Sequence, residues 1–110
     1  GVIIHTNHYC DAGLAKKDVG RQLMTDSFAR MDRADALISK RQHWDDQSLG
    51  EIFENHDDAP GSICRHARAE DEEYLRNDTV ASCIIDLSGR KMRISYGQPC
   101  RAPYREVVLF

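Results

Sequence analysis

Two short groups of polar residues in this chain contain side-chain types that catalysis requires. The first group, His5-Thr6-Asn7-His8, follows directly after the apolar residues 2–4. An Asn at the end of a strand can supply a fixed amide N–H, which is the kind of donor that an oxyanion hole uses. Alternation along a strand puts Asn7 on the same face as His5, and His8 on the opposite face. This group predicts either a functional site around Asn7 or, as the alternative, polar residues at a strand end whose hydrogen bonds are satisfied within the protein.

The second group, Cys64-Arg65-His66, follows the turn-forming residues Pro60 and Gly61. A guanidinium held in place can bind a carboxylate or neutralise a developing anion, so Arg65 is a candidate site residue. The alternative is an ordinary surface Arg in a loop. Cys64 beside Arg65 and His66 also suggests an activated thiol. Side chains of adjacent residues diverge, however, which argues against the hydrogen bond that such a thiol needs.

A metal site is a further interpretation of these residues. His5 and His8 would need two more ligands, such as Cys10 and Cys64. The spacing His-x-x-His-x-Cys fits no compact zinc motif. We therefore expect neither a metal nor another cofactor, and the metal interpretation would require zinc to copurify with the protein.

The cysteine pattern bears on the cellular compartment. Four cysteines allow two disulfides in three pairings, but none of them is spaced as CxxC. Cys83 lies in an apolar stretch, where a thiol behaves as a small hydrophobic group. We therefore expect free thiols in a reducing compartment, which indicates a cytoplasmic protein. The four residues are Cys10, Cys64, Cys83 and Cys100.

The composition is that of a single globular domain spanning residues 1–110, with 41% hydrophobic and 30% charged residues. The net charge of −3 and the scattered basic residues predict no binding to nucleic acid. No apolar run reaches the roughly 18 residues that a membrane-spanning helix needs.

Hydrophobic periodicity predicts an α+β fold, with an antiparallel sheet and two helices packed on it. Ser48 and Glu51 match a capping box at the start of the second helix. The strand at 79–87 is mostly apolar on both faces, which predicts that both faces are covered. The charged segment 67–78 is expected to be an exposed loop. The predicted elements are a buried strand at 2–4, helices at 26–42 and 48–56, and strands at 79–87, 92–96 and 106–110.

The first predicted strand has no sequential partner, so the sheet is expected to be part of a larger unit. Its apolar edges and surface predict association with other copies of the chain, and hence a homo-oligomer.

Several segments together resemble the acyl-coenzyme A:isopenicillin N acyltransferase family, over nearly the whole chain and in the same order. They are HTNHYCD, Ser27-Phe28-Ala29-Arg30 with Arg33, SICRH, TVASCIIDL and YGQPC. The resemblance implies a cysteine Ntn hydrolase with a four-layer αββα sandwich. Such enzymes cut their own chain at a Gly-Cys bond. The freed Cys, with its α-amine as base, then forms an acyl-enzyme that is passed to water or an amine.

By this resemblance, Asn7 corresponds to the oxyanion-stabilising Asn and Arg65 to an active-site Arg. His5, His8, Cys64 and His66 are expected to be neighbours of the site.

The chain contains no Gly-Cys pair, so we expect residues 1–110 to be the C-terminal portion of such an enzyme. The nucleophile would then lie upstream of Gly1, and the chain alone would be inert. Its partner would be the upstream part of the parent chain or another copy, and the parent's substrate a small acyl amide or thioester. The alternative is a non-enzymatic α+β domain that dimerises or binds a ligand.

Overall fold

The structure, a computed structural model, describes residues 1–23 and 25–108. Its three strands form one antiparallel sheet in which they neighbour one another in chain order, with the two longer helices packed against it. The predicted α+β class is therefore confirmed. Among the described residues, no helix combines the length and the apolar character that a membrane crossing needs. The elements are α1 (Ala12–Ala15), α2 (Gly20–Leu23), α3 (Asp26–Ile38), α4 (Asp46–Phe53), a 3₁₀ turn (Glu73–Leu75), β1 (Ala81–Asp86), β2 (Lys91–Tyr96) and β3 (Arg105–Val108).

Helix α4 begins two residues earlier than predicted because a different pair forms its capping box. The Asp45 carboxylate accepts a hydrogen bond from the Ser48 N–H at 2.8 Å, and the Ser48 hydroxyl accepts one from the Asp45 N–H at 2.9 Å. Asp45 has the extended backbone that an N-cap requires, so the predicted box of Ser48 and Glu51 is wrong. The helix ends at Phe53 rather than at residue 56.

Helix α3 is shorter than the predicted 26–42 because the hydrogen bonds after its last turn change from the α-helical to the 3₁₀ pattern. The N–H groups of Lys40 and Arg41 bond to carbonyls three residues back, at 3.3 and 3.2 Å, instead of continuing the α-helical ladder. The helix therefore ends at Ile38, with Ser39 as its C-cap.

One face of the sheet packs against α4. Ile84 and Ser95 on this face are buried, and the hydroxyls of Ser82 and Tyr104 lie 2.7 Å apart. Arg93 extends from the same face to Asp46 at the start of α4, with 3.7 Å between the charged atoms. This face joins the sheet to the helical layer.

The opposite face of the sheet is exposed. Strand register places Ile85 beside Met92 and Met92 beside Val107, so these side chains share that face. Ile85 is 55% exposed, Val107 42% and Tyr96 69%. The prediction that both faces of the first long strand are covered is therefore wrong within the described residues.

Residues 2–4 do not form the predicted buried strand. Val2 and Ile3 are 61% and 97% exposed, and none of the described residues pairs with this segment. β-Branched residues favour extended structure, but a strand forms only where another strand accepts its hydrogen bonds. At the other end, β3 starts at Arg105 and its described part ends at Val108, so residues 109–110 of the predicted last strand lie outside the described residues.

Candidate functional site

The N-terminal turn of α3 places two polar residues, Asp26 and Ser27, in the interior, where they are 8% and 1% exposed. The segment around Gly61 packs directly against this turn. A Cβ atom on Gly61 would lie only 2.9 Å from the Asp26 Cβ, so the approach depends on glycine at that position. The close approach also brings the segment that carries Arg65 next to α3.

Ser27 fixes the polar segment that contains Asn7. Its hydroxyl accepts a hydrogen bond from the Asn7 N–H at 2.8 Å, and its carbonyl accepts one from the Thr6 hydroxyl at 2.8 Å. His8 Nδ1 lies 2.9 Å from the same Ser27 hydroxyl, and the His8 ring stacks on Phe28 with centroids 3.8 Å apart. Thr6 and His8 therefore share one face of the segment, as alternation predicts, although no strand is present.

Asp26 joins the two predicted catalytic residues through a network of hydrogen bonds, which we call the Asp26 cluster (Asn7, Asp26, Arg30 and Arg65). The Arg30 guanidinium donates to Asn7 Oδ1 at 2.8 Å and to Asp26 Oδ2 at 3.2 Å. Arg65 donates to the same Asp26 oxygen from the other side. The structure thus brings together Asn7 and Arg65, which are far apart in the sequence.

The Asp26 cluster has more positive than negative charge, because two guanidiniums share one carboxylate. The Nε atoms of both Arg30 and Arg65 are buried without a hydrogen-bond partner. Burial lowers the pKa of Arg30, and the neighbouring Arg65 charge lowers it further. A cluster with spare donors and an excess positive charge is suited to stabilising an anion.

The orientation of the Asn7 side chain follows from its partner. A guanidinium can only donate, so the Asn7 oxygen must face Arg30. The amide nitrogen Nδ2 then faces away, and none of the described residues accepts a hydrogen bond from it. The Asn7 side chain is exposed and its backbone N–H is already bonded to Ser27, so Nδ2 is the donor that remains for a ligand.

Asp26, Ser27 and Arg30 were not among the site residues predicted from the sequence. The signal that could have identified them is the spacing of Asp26 and Arg30, which places an acid and a base one turn apart on a helix. Their burial could not be anticipated from that spacing, because such pairs usually lie on a solvated helix face.

His5 lies beside an apolar groove and outside the Asp26 cluster. The groove has a volume of about 570 Å³ and lies between the N-terminal segment, α3, α4 and β1. Arg30 lines it as well, so the groove borders the cluster.

Cys64 and His66 belong to a different group of side chains, together with His56 and Cys100. Cys64 Sγ lies 3.6 Å from His66 Nε2, closer than the divergence of neighbouring side chains suggested. Burial raises the pKa of the Cys64 thiol to about 11, so this thiol remains protonated near neutral pH and is a poor nucleophile.

The metal ligands considered from the sequence are not brought together as one group. Cys10 is exposed, and His5 and His8 occupy the positions described above. Within the described residues, none of the four cysteines is paired in a disulfide.

Comparison with known proteins gives two findings. A family model described as acyl-coenzyme A:6-aminopenicillanic acid acyl-transferase matches residues 1–101. The acyl-coenzyme A:6-aminopenicillanic-acid-acyltransferase 40 kDa form of Emericella nidulans is 30% identical over 100 residues. That match covers 90% of this chain and 26% of the relative, so the chain spans about a quarter of the relative's length.

Proposed function

Since the chain belongs to the acyl-coenzyme A:6-aminopenicillanic acid acyl-transferase family, we propose that it is the C-terminal portion of a self-processing acyltransferase or amidohydrolase. The observation that supports this most strongly is the Asp26 cluster, in which Arg30 links Asn7 to the same buried carboxylate that holds Arg65. The substrate class is a small acyl amide or an acyl thioester.

In the proposed reaction, the thiol of an N-terminal Cys outside residues 1–110 attacks the substrate carbonyl. The thiol proton passes to the α-amine of the same Cys, and the carbonyl oxygen becomes an oxyanion. Collapse of the tetrahedral intermediate expels the thiol or amine of the substrate, which takes the proton from the α-ammonium group, and leaves an acyl-enzyme. Water or an acceptor amine then takes the acyl group by the same steps in reverse order. The same Cys would be released when the parent chain cuts itself at a Gly-Cys bond.

Asn7 would stabilise the oxyanion through its Nδ2 group. Arg30 holds the Asn7 amide in the orientation that presents this donor, so Arg30 is a positioning residue in the proposal. Arg65 is held by Asp26 and contributes positive potential where negative charge develops.

The exposed face of the sheet supports a partner beyond residues 1–110. Ile85, Tyr96 and Val107 give this face a continuous apolar character, which is costly to leave in water. Because the chain spans about a quarter of its relative's length, we propose that the upstream part of the parent chain covers this face as a second sheet. A homodimer through the same face is the competing outcome.

Turnover by the full-length product tests the role of Asn7. Loss of an oxyanion donor lowers turnover by roughly a hundredfold to a thousandfold, which is the expected effect of Asn7→Ala. Asn77→Ala is the matched control, because Asn77 is exposed and its side chain bonds only to the Tyr74 carbonyl among the described residues. An Asn7→Ala rate within a few-fold of the control would contradict the assignment.

A non-enzymatic dimerisation or ligand-binding domain is the second candidate, favoured by the same exposed sheet face. The coding sequence upstream of Gly1 and the intact mass of the native product separate the two. A continuing frame with a Gly-Cys pair, and a product cut at that bond, supports the acyltransferase. A start codon directly before Gly1, with a stable homodimer, supports the non-enzymatic domain.

A further inference from the structure

We infer that His56, Cys64, His66 and Cys100 form a structural zinc site. Their ligand atoms, the imidazole nitrogens and the sulfurs, all lie within 4.8 Å of one another. Two thiolates and two imidazoles are the ligand set of closed, four-coordinate zinc sites. We call these four residues the Cys2His2 group.

Four of the six distances in the Cys2His2 group are close to the edges of a zinc tetrahedron, and the other two, from His56 to the two sulfurs, lie within 4.8 Å. Zinc–sulfur bonds of about 2.3 Å and zinc–nitrogen bonds of about 2.0–2.1 Å imply edges of about 3.8 Å (S···S), 3.6 Å (S···N) and 3.3 Å (N···N). The Cys64 and Cys100 sulfurs are 3.6 Å apart, and the two histidine Nε2 atoms are 3.1 Å apart. His66 Nε2 lies 3.6 Å from the Cys64 sulfur and 3.2 Å from the Cys100 sulfur. Movements of a few tenths of an ångström at Cys64, His66 and Cys100, and of up to about 1 Å at His56, would therefore admit the ion.

Backbone hydrogen bonds hold the first two ligand segments in place. The Cys64 N–H donates to the Asn55 carbonyl at 2.9 Å, which fixes Cys64 beside His56. Arg65 is tied on both sides to Thr79: its N–H donates to the Thr79 hydroxyl at 2.9 Å and its carbonyl accepts from the Thr79 N–H at 3.1 Å. These bonds leave Cys64 and His66 pointing to the Cys2His2 group, while Arg65 points to Asp26.

The turn after β2 supplies the remaining ligand, Cys100. The N–H groups of Arg101 and Ala102 both donate to the Gln98 carbonyl, at 3.0 and 2.9 Å, and the Gln98 amide donates to Asp78 at 2.9 Å. Three segments, each held by backbone hydrogen bonds, therefore converge on one point. Such preorganisation reduces the cost of assembling a site when the ion binds.

The charges around the Cys2His2 group are compatible with zinc. Binding converts both thiols to thiolates and releases two protons to solvent, so the complex with Zn²⁺ has no net charge. The nearby cations Arg68 and Arg101 then face a neutral site.

Four protein ligands leave no open position on the ion, so the role is structural rather than catalytic. The zinc would join the segment after α4, the segment that carries Arg65, and the turn between β2 and β3. It would thereby hold Arg65, whose two neighbours Cys64 and His66 are both ligands, against α3.

Metal analysis of the full-length product, purified without added metal and without a polyhistidine tag, tests the inference. We expect one zinc ion per chain that depends on the Cys2His2 group. Cys100→Ser and His56→Ala should each weaken Zn²⁺ binding by at least about a hundredfold, since even outer-shell changes weaken it by up to that much. Cys10→Ser and His43→Ala are the matched controls, because both residues are exposed and outside the group. Equal zinc in all four variants would overturn the inference.

Cobalt substitution in the unmutated protein tests the site without relying on variants that fold. Co²⁺ should give the intense absorption of a tetrahedral ion together with thiolate-to-cobalt charge-transfer bands. A weak octahedral spectrum, or no binding, would overturn the proposal. So would a disulfide between Cys64 and Cys100, which would appear as the loss of two protons in the intact mass. None of these measurements involves acyl transfer, so their outcome is distinct from that of the proposed function.

Discussion

Replacing Asp26 by Asn is expected to destabilise the protein strongly, because Asp26 is the single carboxylate between two partly buried guanidiniums. The Asp26 side chain is 7% exposed, and those of Arg65 and Arg30 are 15% and 20% exposed. Asn keeps the size and one acceptor oxygen but removes the negative charge. The variant therefore leaves two positive charges facing each other without compensation.

The expected size of this effect follows from the burial of the pair. Removing one partner of a buried ion pair costs about 3–5 kcal/mol, because an unpaired charge stays in the interior. The remaining acceptor of Asn and the partial exposure of both Arg side chains favour the lower end, about 3 kcal/mol. With a urea m-value of about 2 kcal/mol per molar, the urea concentration at the midpoint of unfolding should fall by about 1.5 M.

Equilibrium urea unfolding of the two variants Asp26→Asn and Asp46→Asn measures the difference. Asp46 is the matched control because it also pairs with an Arg, at 3.7 Å, but its side chain is 46% exposed. An exposed pair contributes about 0–1 kcal/mol to stability, so the unfolding midpoint of Asp46→Asn should move by less than about 0.5 M. If both variants shift the unfolding midpoint equally, Asp26 does not compensate the charges of Arg30 and Arg65 as a buried ion pair.

Three further predictions concern the α4 cap, the contact at Ser27 and the exposed sheet face. Hydrogen bonds from Ser48 lower the pKa of Asp45. The cap therefore makes its full contribution to the stability of the folded protein above the ordinary Asp pKa of about 3.9, and this contribution is lost as the pH falls through the lower pKa that Asp45 has in the folded state. In urea titrations, the stability gap between the native protein and Asp45→Asn should be constant above about pH 4 and close below it; a gap independent of pH would contradict the cap. Ser27→Ala removes the acceptor for the Asn7 N–H and should cost about 1–3 kcal/mol in unfolding free energy, whereas no measurable loss would show that the contact is dispensable. Ile85→Lys should lower the melting temperature of the full-length product but hardly that of residues 1–110 alone, where Ile85 is 55% exposed; equal effects would argue against a partner on that face.

The sequence predicted the fold class and the order of the main helices and strands because those depend on local periodicity. The spacing of Phe28, Met31, Ala34 and Ile38 marks α3 wherever it packs. The boundaries were less accurate because several residues can cap a helix, and Asp45 was not recognised as the cap of α4. The strand predicted at residues 2–4 was wrong because pairing depends on a partner strand rather than on composition.

The two candidate catalytic residues were identified from the sequence, but Asp26 and Arg30, which connect them, were not. Asp26 fits the pattern of a helix start, and nothing local indicates that it is buried between Arg30 and Arg65. The proposed zinc site could not be anticipated for a related reason. Cys100 is distant from Cys64 in the sequence, and only the Cys-x-His spacing of residues 64 and 66 hinted at two ligands on one side of a segment.

Trapping an acyl-enzyme tests the central claim most directly. The full-length product is mixed with an acyl thioester, quenched with acid and digested, and the peptide that carries the acyl group is identified by mass. The proposal predicts one acyl group on an N-terminal Cys outside residues 1–110, forming roughly a hundredfold or more slowly in Asn7→Ala. An acyl group on Cys64, or acylation that does not depend on Asn7, would contradict the proposal.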